Sequence, residues 1–242
     1  YTDLILTVGY KSDKIIQYFG DGSKFGVRID YFIENSPLGN AGALFKLKDK
    51  LTDDFLLLNA DAMFNVDFNR FVKFHKEHHG LVTLFTHPNN HPYDSGLIIA
   101  NEDKQVEQWL TKEDMRPEFY QNRVNAGLHV LSPEVLNTKI DNDKVDLDRQ
   151  ILKKFCGTGK MYCYDSPEYV KDVGTPDRYE SACKDLKNGL VSSRNLINRQ
   201  KAVFLDRDGT INRYVGFLKD LNQFELLDGV SEAVKLINQS GY

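Results

Sequence analysis

The chain has 242 residues, and its 31 Lys and Arg against 35 Asp and Glu give a formal net charge of −4. Hydrophobic residues make up 41% and charged residues 27%, which are the proportions of a globular protein rather than of a disordered, collagenous or coiled-coil one. The mild acidity argues against nucleic-acid binding, which requires a basic patch, and no apolar run approaches the ~20 residues of a membrane span. We therefore expect neither a nucleic-acid nor a membrane partner, and the sequence leaves a homo-oligomer open.

The three cysteines, Cys156, Cys163 and Cys183, form no CxxC motif and no Cys/His cluster. Isolated reduced cysteines are typical of cytosolic proteins and no signal peptide is visible, so we expect a cytoplasmic location. The chain begins at Tyr1 without a Met, directly with a strand-like pattern, and ends at Tyr242 as a helical pattern finishes. We interpret the sequence as a fragment that lacks both ends of a longer protein.

Short apolar strands alternate with amphipathic helices along most of the chain. The strands are predicted over residues 4–8, 27–33, 55–58, 81–85, 97–100, 106–110 and 128–131. The helices are predicted over residues 12–19, with Ser12 as N-cap, 39–47, 68–79, 147–155 and 176–186. This alternation predicts an α/β fold with a mostly parallel, mixed sheet.

A polar stretch at residues 187–200 separates this pattern from a new predicted strand at residues 202–205. We interpret 187–200 as a linker, residues 1–186 as one domain, and residues 201–242 as the start of a second α/β domain.

Two carboxylates, Asp206 and Asp208, directly follow the predicted strand and precede a Gly-Thr turn. Side-chain direction in an extended chain repeats every two residues, so both carboxylates share a side. Neighbouring carboxylates repel, which indicates a divalent cation or a shared proton, and Mg²⁺ prefers hard oxygen ligands. One carboxylate can then attack phosphorus while the other handles the proton of the leaving group.

The stretch Phe204-Leu-Asp-Arg-Asp-Gly-Thr-Ile-Asn, followed by Phe224-Glu-Leu-Leu-Asp-Gly-Val, resembles the haloacid-dehalogenase phosphatases, and among them those acting on heptose bisphosphate and histidinol phosphate. The resemblance implies a Rossmann-like domain in which Asp206 is the nucleophile, Asp208 is the general acid/base, and both lie at a Mg²⁺ site. It covers only residues 201–242, which leave no room for the family's later motifs or for a zinc-binding loop. We therefore expect an incomplete catalytic domain.

Four further motifs occur in order through the first domain. Taken singly, the first also fits a structural turn and the second a helix cap. A glycine-containing turn before a helix lets the backbone approach a ligand closely, and a helix N-terminus favours phosphate or polar base edges. The motifs are Pro37-Leu38-Gly39-Asn40-Ala41-Gly42, preceded by Glu34; Asn59-Ala60-Asp61; Asn125-Ala126-Gly127; and Asp172-Val173-Gly174-Thr175-Pro176.

The ordered set resembles the sugar-phosphate nucleotidylyltransferases, which implies a GT-A-like fold over roughly the first 185 residues. Asn40 and Ala60 replace a Thr and a Gly of the family pattern, and Lys112 lacks the flanking Glu and Pro. The family's Gly-rich triphosphate loop would precede Tyr1. The resemblance implies three groups of site residues: Glu34, Pro37, Leu38, Gly39, Asn40, Ala41, Gly42 and Asn59 for the nucleotide; Gly96, Lys112, Asn125 and Gly127 for the sugar, with Lys112 catalytic through the sugar phosphate; and Asp61 and Asp172 for Mg²⁺.

Together the two resemblances indicate a bifunctional enzyme of nucleotide-sugar synthesis, inactive as this fragment. The first domain would join a sugar 1-phosphate to a nucleoside triphosphate and release pyrophosphate. The stretch from His91 to Gly96 resembles heptose-phosphate guanylyltransferases, so we expect GTP and D-glycero-D-manno-heptose 1-phosphate, after removal of the 7-phosphate by the second domain. Two alternatives remain open: a mannose- or glucose-1-phosphate enzyme fused to a histidinol-type phosphatase, and a non-catalytic nucleotide-sugar-binding regulatory module.

Overall fold

The computed structural model describes residues 1–89, 95–111 and 113–240, and within them it confirms the predicted α/β class. The strands are β1 (Asp3–Val8), β2 (Arg28–Ile33), β3 (Phe55–Leu58), β4 (Ala62–Asn65), β5 (Val82–His87), β6 (Leu97–Ala100), β7 (Val106–Leu110), β8 (Val124–Leu131), β9 (Met161–Asp165) and β10 (Tyr169–Asp172). The α-helices are α1 (Ser12–Phe19), α2 (Gly42–Lys46), α3 (Phe68–His78), α4 (Pro176–Lys187), α5 (Leu190–Ser193) and α6 (Val230–Gln239).

The main sheet is mixed and is organised around β8. It contains β7, β6, β8, β5 and β9 in that order, and β3 also pairs with β8. β8 runs antiparallel to β3, β5 and β6, whereas β5 and β9 are parallel. The expectation of a mostly parallel sheet is therefore wrong. The apolar run of β8 is buried in the same way as that of a parallel strand, so its composition does not reveal its direction.

The core lies on both faces of β5, which explains why its first five residues are all buried. Phe85 faces α3, where its ring meets Phe71 edge-on at 5.3 Å. Leu84 joins a buried cluster with Ile151 and Leu152 on the other face. A strand covered on both sides has no solvent-facing positions and so reads as a continuous apolar run.

The chain forms two compact units that differ from the predicted domains. The first comprises residues 1–59 and 68–166, and the second comprises residues 60–67 and 167–242. In the second unit β4 pairs antiparallel with β10, so a short early segment belongs with the C-terminal part of the chain. The sequence-based domains 1–186 and 201–242 stay a prediction.

Residues 187–200, the predicted linker, contain regular structure. They include α5, whose Val191 is buried. Asn195 donates from Nδ2 to Asn65 Oδ1 at 2.7 Å, and the Leu196 N–H donates to Glu168 Oε1 at 2.9 Å. These side chains supply the hydrogen bonds that a polar segment needs in order to pack.

Residues 202–205 do not form the predicted strand, and Phe204 is 95% exposed. Among the described residues no strand lies beside this segment, so its backbone groups have no ladder partner and its apolar side chains have no sheet to pack on. The start of a haloacid-dehalogenase domain therefore stays a prediction.

Three predicted helices also differ from the structure. The first has Lys11, in the left-handed region, as its N-cap instead of Ser12. The helix predicted over 39–47 begins only at Gly42, because the preceding loop bonds to other backbone groups. Residues 147–155 form one π-turn and one 3₁₀ turn, and the wide π-turn lets Leu147, Ile151 and Leu152 all reach the core.

No α-helix within the described ranges is both long enough and apolar enough to cross a membrane.

Candidate functional site

The Pro37–Gly42 loop of the first unit lies against the backbone of residues 143–147. The Val145 N–H donates to the Leu38 carbonyl at 2.9 Å, and the Leu147 N–H donates to Asn40 Oδ1 at 2.7 Å. Gly39 has a φ of +77°, and a Cβ there would collide with the Val145 carbonyl. Glycine at this position is therefore required by packing as well as by backbone conformation.

Burial divides this predicted nucleotide-binding motif into two sets. Leu38, Ala41 and Gly42 are buried and pack inside the unit, whereas Pro37, Gly39 and Asn40 are exposed. Glu34, which follows β2, accepts a hydrogen bond from the Leu38 N–H at 3.3 Å through Oε2. The exposed set and Glu34 are thus the members of the motif that can face a ligand, while the buried set holds the loop in place.

Asn59 and the Asn125–Gly127 turn meet in the first unit because β3 pairs with β8. The last residue pair of that ladder is Leu58 with Leu128, and the Asn59 N–H then donates to the Gly127 carbonyl at 3.0 Å. A Cβ on Gly127, whose φ is +75°, would lie 2.6 Å from Asn59 Nδ2. A predicted nucleotide-binding residue and a predicted sugar-binding turn are therefore in direct contact.

A bulge in β8 produces this turn. Leu84 of β5 pairs with His129 of β8, and Thr86 of β5 pairs with Asn125 of β8. Between these two pairs β5 advances by two residues and β8 by four. The extra residues on β8 interrupt the ladder at the turn.

Gly96 lies one residue before β6, next to the same turn. Leu97 pairs with Val124, so Gly96 and Asn125 adjoin that pair on opposite strands. A Cβ on Gly96 would lie 2.8 Å from the indole Nε1 of Trp109, so the indole covers the glycine. The predicted sugar-phosphate contact, Lys112, lies outside the described residues.

Asp61 and Asp172 converge in the second unit through the pairing of β4 with β10. Asp172 pairs with Ala62, and the Val173 N–H donates to the Asp61 carbonyl at 2.7 Å. The position of a Cβ on Gly174 would be 3.2 Å from Asp172 Oδ1 and 3.5 Å from Asp61 Oδ2. The two carboxylates, which are 111 residues apart in sequence, thus both lie next to Gly174.

The oxygen ligands of this pair are of the type that a magnesium ion prefers. No group of three or more His, Cys, Asp or Glu ligands occurs in the part of the chain that the structure describes. Mg²⁺ is commonly held by one or two carboxylates together with water and substrate phosphates, so two exposed carboxylates suffice. Arg178 Nη1 also contacts Asp172 Oδ2, at 2.8 Å.

Asp206 and Asp208 lie in an irregular segment of the second unit. Arg207 contacts both oxygens of Asp208, at 2.9 and 2.8 Å, and these hydrogen bonds lower the pKa of the Asp208 carboxyl. Asp206 is exposed. The Gly209 N–H donates to the Asn212 carbonyl at 2.8 Å, so the turn after the carboxylates forms without the preceding strand.

Sequence reasoning missed three polar residues beside the predicted site residues. Arg178 is paired with Asp172, His129 contacts Asn125, and Asp148 lies one residue beyond the Leu147 that bonds the Pro37–Gly42 loop. Burial, reinforced by the nearby Asp146, raises the pKa of the Asp148 carboxyl to about 6. No sequence pattern marks these residues, because their contacts depend on local turns and on burial, although the partners are near in sequence.

Comparison with known proteins assigns the family. A family model described as nucleotidyl transferase matches residues 1–189. The chain belongs to the nucleotidyl transferase family. The nucleotidyl transferase match spans the motifs from Glu34 to Asp172 and leaves residues 190–242 outside it.

Two curated relatives and one solved structure illustrate the likeness of this nucleotidyl transferase chain. "Probable mannose-1-phosphate guanylyltransferase 2" of Oryza sativa subsp. japonica is 29% identical over 184 residues, covering 74% of this chain and 50% of the relative. The mannose-1-phosphate guanyltransferase of Aspergillus fumigatus is 30% identical over 182 residues, covering 72% and 49%. The crystal structure of HddC from Yersinia pseudotuberculosis complexed with GMP-PN has a TM-score of 0.62 at 23% identity, covering 75% of this chain and 77% of that one. The chain thus spans about half the length of these curated relatives, and the structural likeness shows the same fold.

A glycine exchange tests the packing of the Pro37–Gly42 loop. Gly39→Ala should destabilise the first unit more than Gly26→Ala, because both glycines have positive φ but only Gly39 faces backbone at contact distance. Each Ala costs about 1–2 kcal/mol through the left-handed conformation, and the collision adds about 1–3 kcal/mol at residue 39. Urea unfolding followed by the fluorescence of Trp109, the single tryptophan, measures the difference. Equal losses for the two variants would contradict the packing role.

The raised pKa of Asp148 predicts a pH-dependent stability. The folded-state pKa of about 6 exceeds the ordinary value of 3.8, so the stability this group contributes is complete below about pH 4 and is lost as the pH rises through 6. Asp148→Asn should therefore gain stability relative to the parent between pH 4 and pH 7, by at most about 3 kcal/mol. Unfolding at several pH values measures this gain. Asp141→Asn, which changes an exposed carboxyl of the same segment, serves as the control and should show no such gain. Parallel stability curves for the parent and Asp148→Asn would refute the prediction.

Proposed function

We propose that the chain forms part of an enzyme that transfers a nucleoside monophosphate from a nucleoside triphosphate to a sugar 1-phosphate. An oxygen of the sugar phosphate attacks the α-phosphorus, the bond from that phosphorus to the β-phosphate oxygen breaks, and pyrophosphate leaves. The observation that carries the proposal is the convergence of Asp61 and Asp172 at Gly174. Membership of the nucleotidyl transferase family and the names of the curated relatives support it.

Each group of residues has a separate task in this proposal. Glu34 and the exposed part of the Pro37–Gly42 loop bind the nucleotide base through backbone and carboxylate groups. Asn59 binds the nucleotide in this proposal, and its contact with the Gly127 carbonyl supports a position next to the sugar-binding turn. Asn125 and the backbone at Gly96 bind sugar hydroxyl groups, and Lys112 binds the sugar phosphate.

Asp61 and Asp172 hold Mg²⁺ in this proposal. When bound, the ion neutralises charge on the phosphates of the nucleotide. Arg178 keeps the Asp172 carboxylate oriented through its contact at Oδ2, and the Gly174 N–H fixes the other oxygen, Oδ1, at 2.7 Å. A carboxylate held by two donors loses little freedom when it takes a cation.

The base and the sugar are the finer part of the proposal. Both curated relatives are named as guanylyl- or guanyltransferases of mannose 1-phosphate, which supports GTP as the nucleotide and makes mannose 1-phosphate one candidate sugar. The heptose-like stretch at residues 91–96 and the phosphatase-like motif at residues 204–212 favour heptose 1-phosphate as the other candidate sugar.

The free cysteines Cys156, Cys163 and Cys183 support a cytoplasmic location.

Residues 201–242 are proposed to begin a phosphatase domain. Asp206 would accept the phosphoryl group and Asp208 would donate a proton to the departing alkoxide. The contact with Arg207 lowers the pKa of the Asp208 carboxyl and so favours its ionised form.

The metal pair gives the first test of the proposal. In the full-length natural protein, Asp61→Asn and Asp172→Asn should each lower guanylyl transfer by roughly 100-fold or more, the scale lost with a key electrostatic stabiliser. Asp177→Asn, an exposed carboxyl in the first turn of α4, should retain the parental rate. Pyrophosphate release measures the rate, with mannose 1-phosphate and heptose 1-phosphate offered separately, and calorimetric titration with Mg²⁺ and GTP measures binding. A near-parental rate for either variant at saturating Mg²⁺ would exclude that carboxylate as a ligand.

The phosphatase proposal is tested independently of nucleotidyl transfer. In the full-length natural protein, Asp206→Asn should abolish phosphate release from heptose 1,7-bisphosphate, because an amide is a far poorer nucleophile than a carboxylate. Asp208→Asn should also cripple this release, while both variants keep guanylyl transfer to supplied heptose 1-phosphate. Asp220→Asn, with an exposed carboxyl outside the motif, is the control. Phosphate release by Asp206→Asn at the parental rate would remove Asp206 as the nucleophile.

A further inference from the structure

His129 is a histidine buried at the centre of the main sheet, where its neighbours across the strands are apolar. It lies in β8 with Leu57 of β3 on one side and Leu84 of β5 on the other, and it is 1% exposed. A buried imidazole is unfavourable unless it makes a hydrogen bond. Its contact is with Asn125, the amide of the predicted sugar-binding turn, at 3.2 Å from Nε2 to Oδ1.

The backbone of Gly127 identifies which amide atom faces the histidine. The Gly127 N–H donates to Asn125 Oδ1 at 3.2 Å, and an amide nitrogen in that place could not accept it. The atom next to His129 Nε2 is therefore the oxygen. Because an oxygen accepts only, His129 must carry its proton on Nε2.

The other ring nitrogen agrees with this tautomer. Nδ1 is buried and has no hydrogen-bond partner among the described residues. The neutral tautomer with its proton on Nε2 leaves a lone pair on Nδ1. A buried lone pair without a donor is less unfavourable than a buried N–H without an acceptor. Burial lowers the pKa of His129 to about 4, with the Leu57 carbonyl opposing the shift only in part, so the ring is neutral near pH 7.

Two donors thus hold Asn125 by its oxygen and leave its nitrogen for a ligand. Asn125 is half-buried, and its Nδ2 has no partner within the described ranges. An amide fixed through its oxygen presents two N–H groups in one orientation, which suits the oxygen of a sugar hydroxyl. Loss of one donor would let the amide rotate and expose its oxygen instead.

We propose that His129 is a positioning residue for sugar recognition, whose Nε2–H fixes the Asn125 amide so that Nδ2 donates to a sugar hydroxyl oxygen. The inference rests on the proposed function. It adds a determinant of sugar affinity that lies in the sheet and touches neither substrate.

Kinetics in the full-length natural protein separate positioning from folding. His129→Leu, which removes the donor, should raise KM for the accepted sugar 1-phosphate by about 10-fold or more, the scale of a lost hydrogen bond to a polar group, and leave KM for GTP within about twofold. His129→Gln, which can place an N–H near the Nε2 position, should recover most of this loss. Asn125→Ala should raise the same KM, and the double variant should be no worse than Asn125→Ala alone, because His129 acts through Asn125.

A structural role gives different results. It would lower kcat or raise both KM values, or add to the loss of Asn125→Ala in the double variant, and either result would overturn the proposal. Unfolding followed by Trp109 fluorescence shows whether each variant folds. If transfer is normal and KM for the sugar phosphate does not change in His129→Leu, the role of His129 fails alone. If no sugar 1-phosphate is accepted, the proposed function and the role of His129 fail together.

Nitrogen NMR of the histidine rings in the present chain tests the tautomer without activity. At pH 7 we expect a neutral His129 ring with its proton on Nε2, and Asn125→Ala should shift the resonance of that nitrogen. A proton on Nδ1 would overturn the proposal.

Discussion

The pairing of β8 with three other strands is the constraint on which the first unit depends. β8 lies against β3 and β5 at one end and against β5 and β6 at the other. Its last five residues are all buried, so both faces of this part of the strand are packed, and a shift of register would change the neighbours of every one of these side chains. The same pairing places Asn59 on Gly127 and Gly96 beside Asn125. Packing of one strand thereby brings together residues from three separate parts of the sequence.

Buried neighbours support two of the groups in the first unit that are proposed to bind substrate. Asn40 and Gly39 are exposed, but the backbone around Val145 fixes them. Asn125 is half-buried, and the buried His129 and the Gly127 backbone hold its oxygen. A site supported in this way keeps its geometry before the ligand arrives, and less conformational entropy is lost on binding.

The sequence predicted many strands closely but missed three. Residues 55–58, 97–100 and 106–110 have the predicted bounds, because each is an apolar or β-rich run. β4, β9 and β10 were not predicted: β10, for example, contains Lys171 and Asp172, and it is held by its ladder with β4. Residues 202–205 show the reverse: their apolar run predicts a strand, but no strand forms there, and no other strand lies beside them among the described residues. Strands thus form where a neighbouring strand is present to pair with them, and amino-acid composition alone does not show where that is.

The sequence by itself determined the residue types of the site, their order along the chain and the family they resemble. Glycines at 39 and 127 are readable as positions of unusual backbone, and Asp61 and Asp172 as carboxylates at the ends of short segments. Only the tertiary structure decided which residues meet. The convergence of Asp61 and Asp172 follows from the antiparallel register of β4 and β10, and the tautomer of His129 follows from a hydrogen bond that Gly127 makes to Asn125. These contacts depend on strand register and on the conformation of one turn, which the pattern of apolar residues in the sequence does not specify.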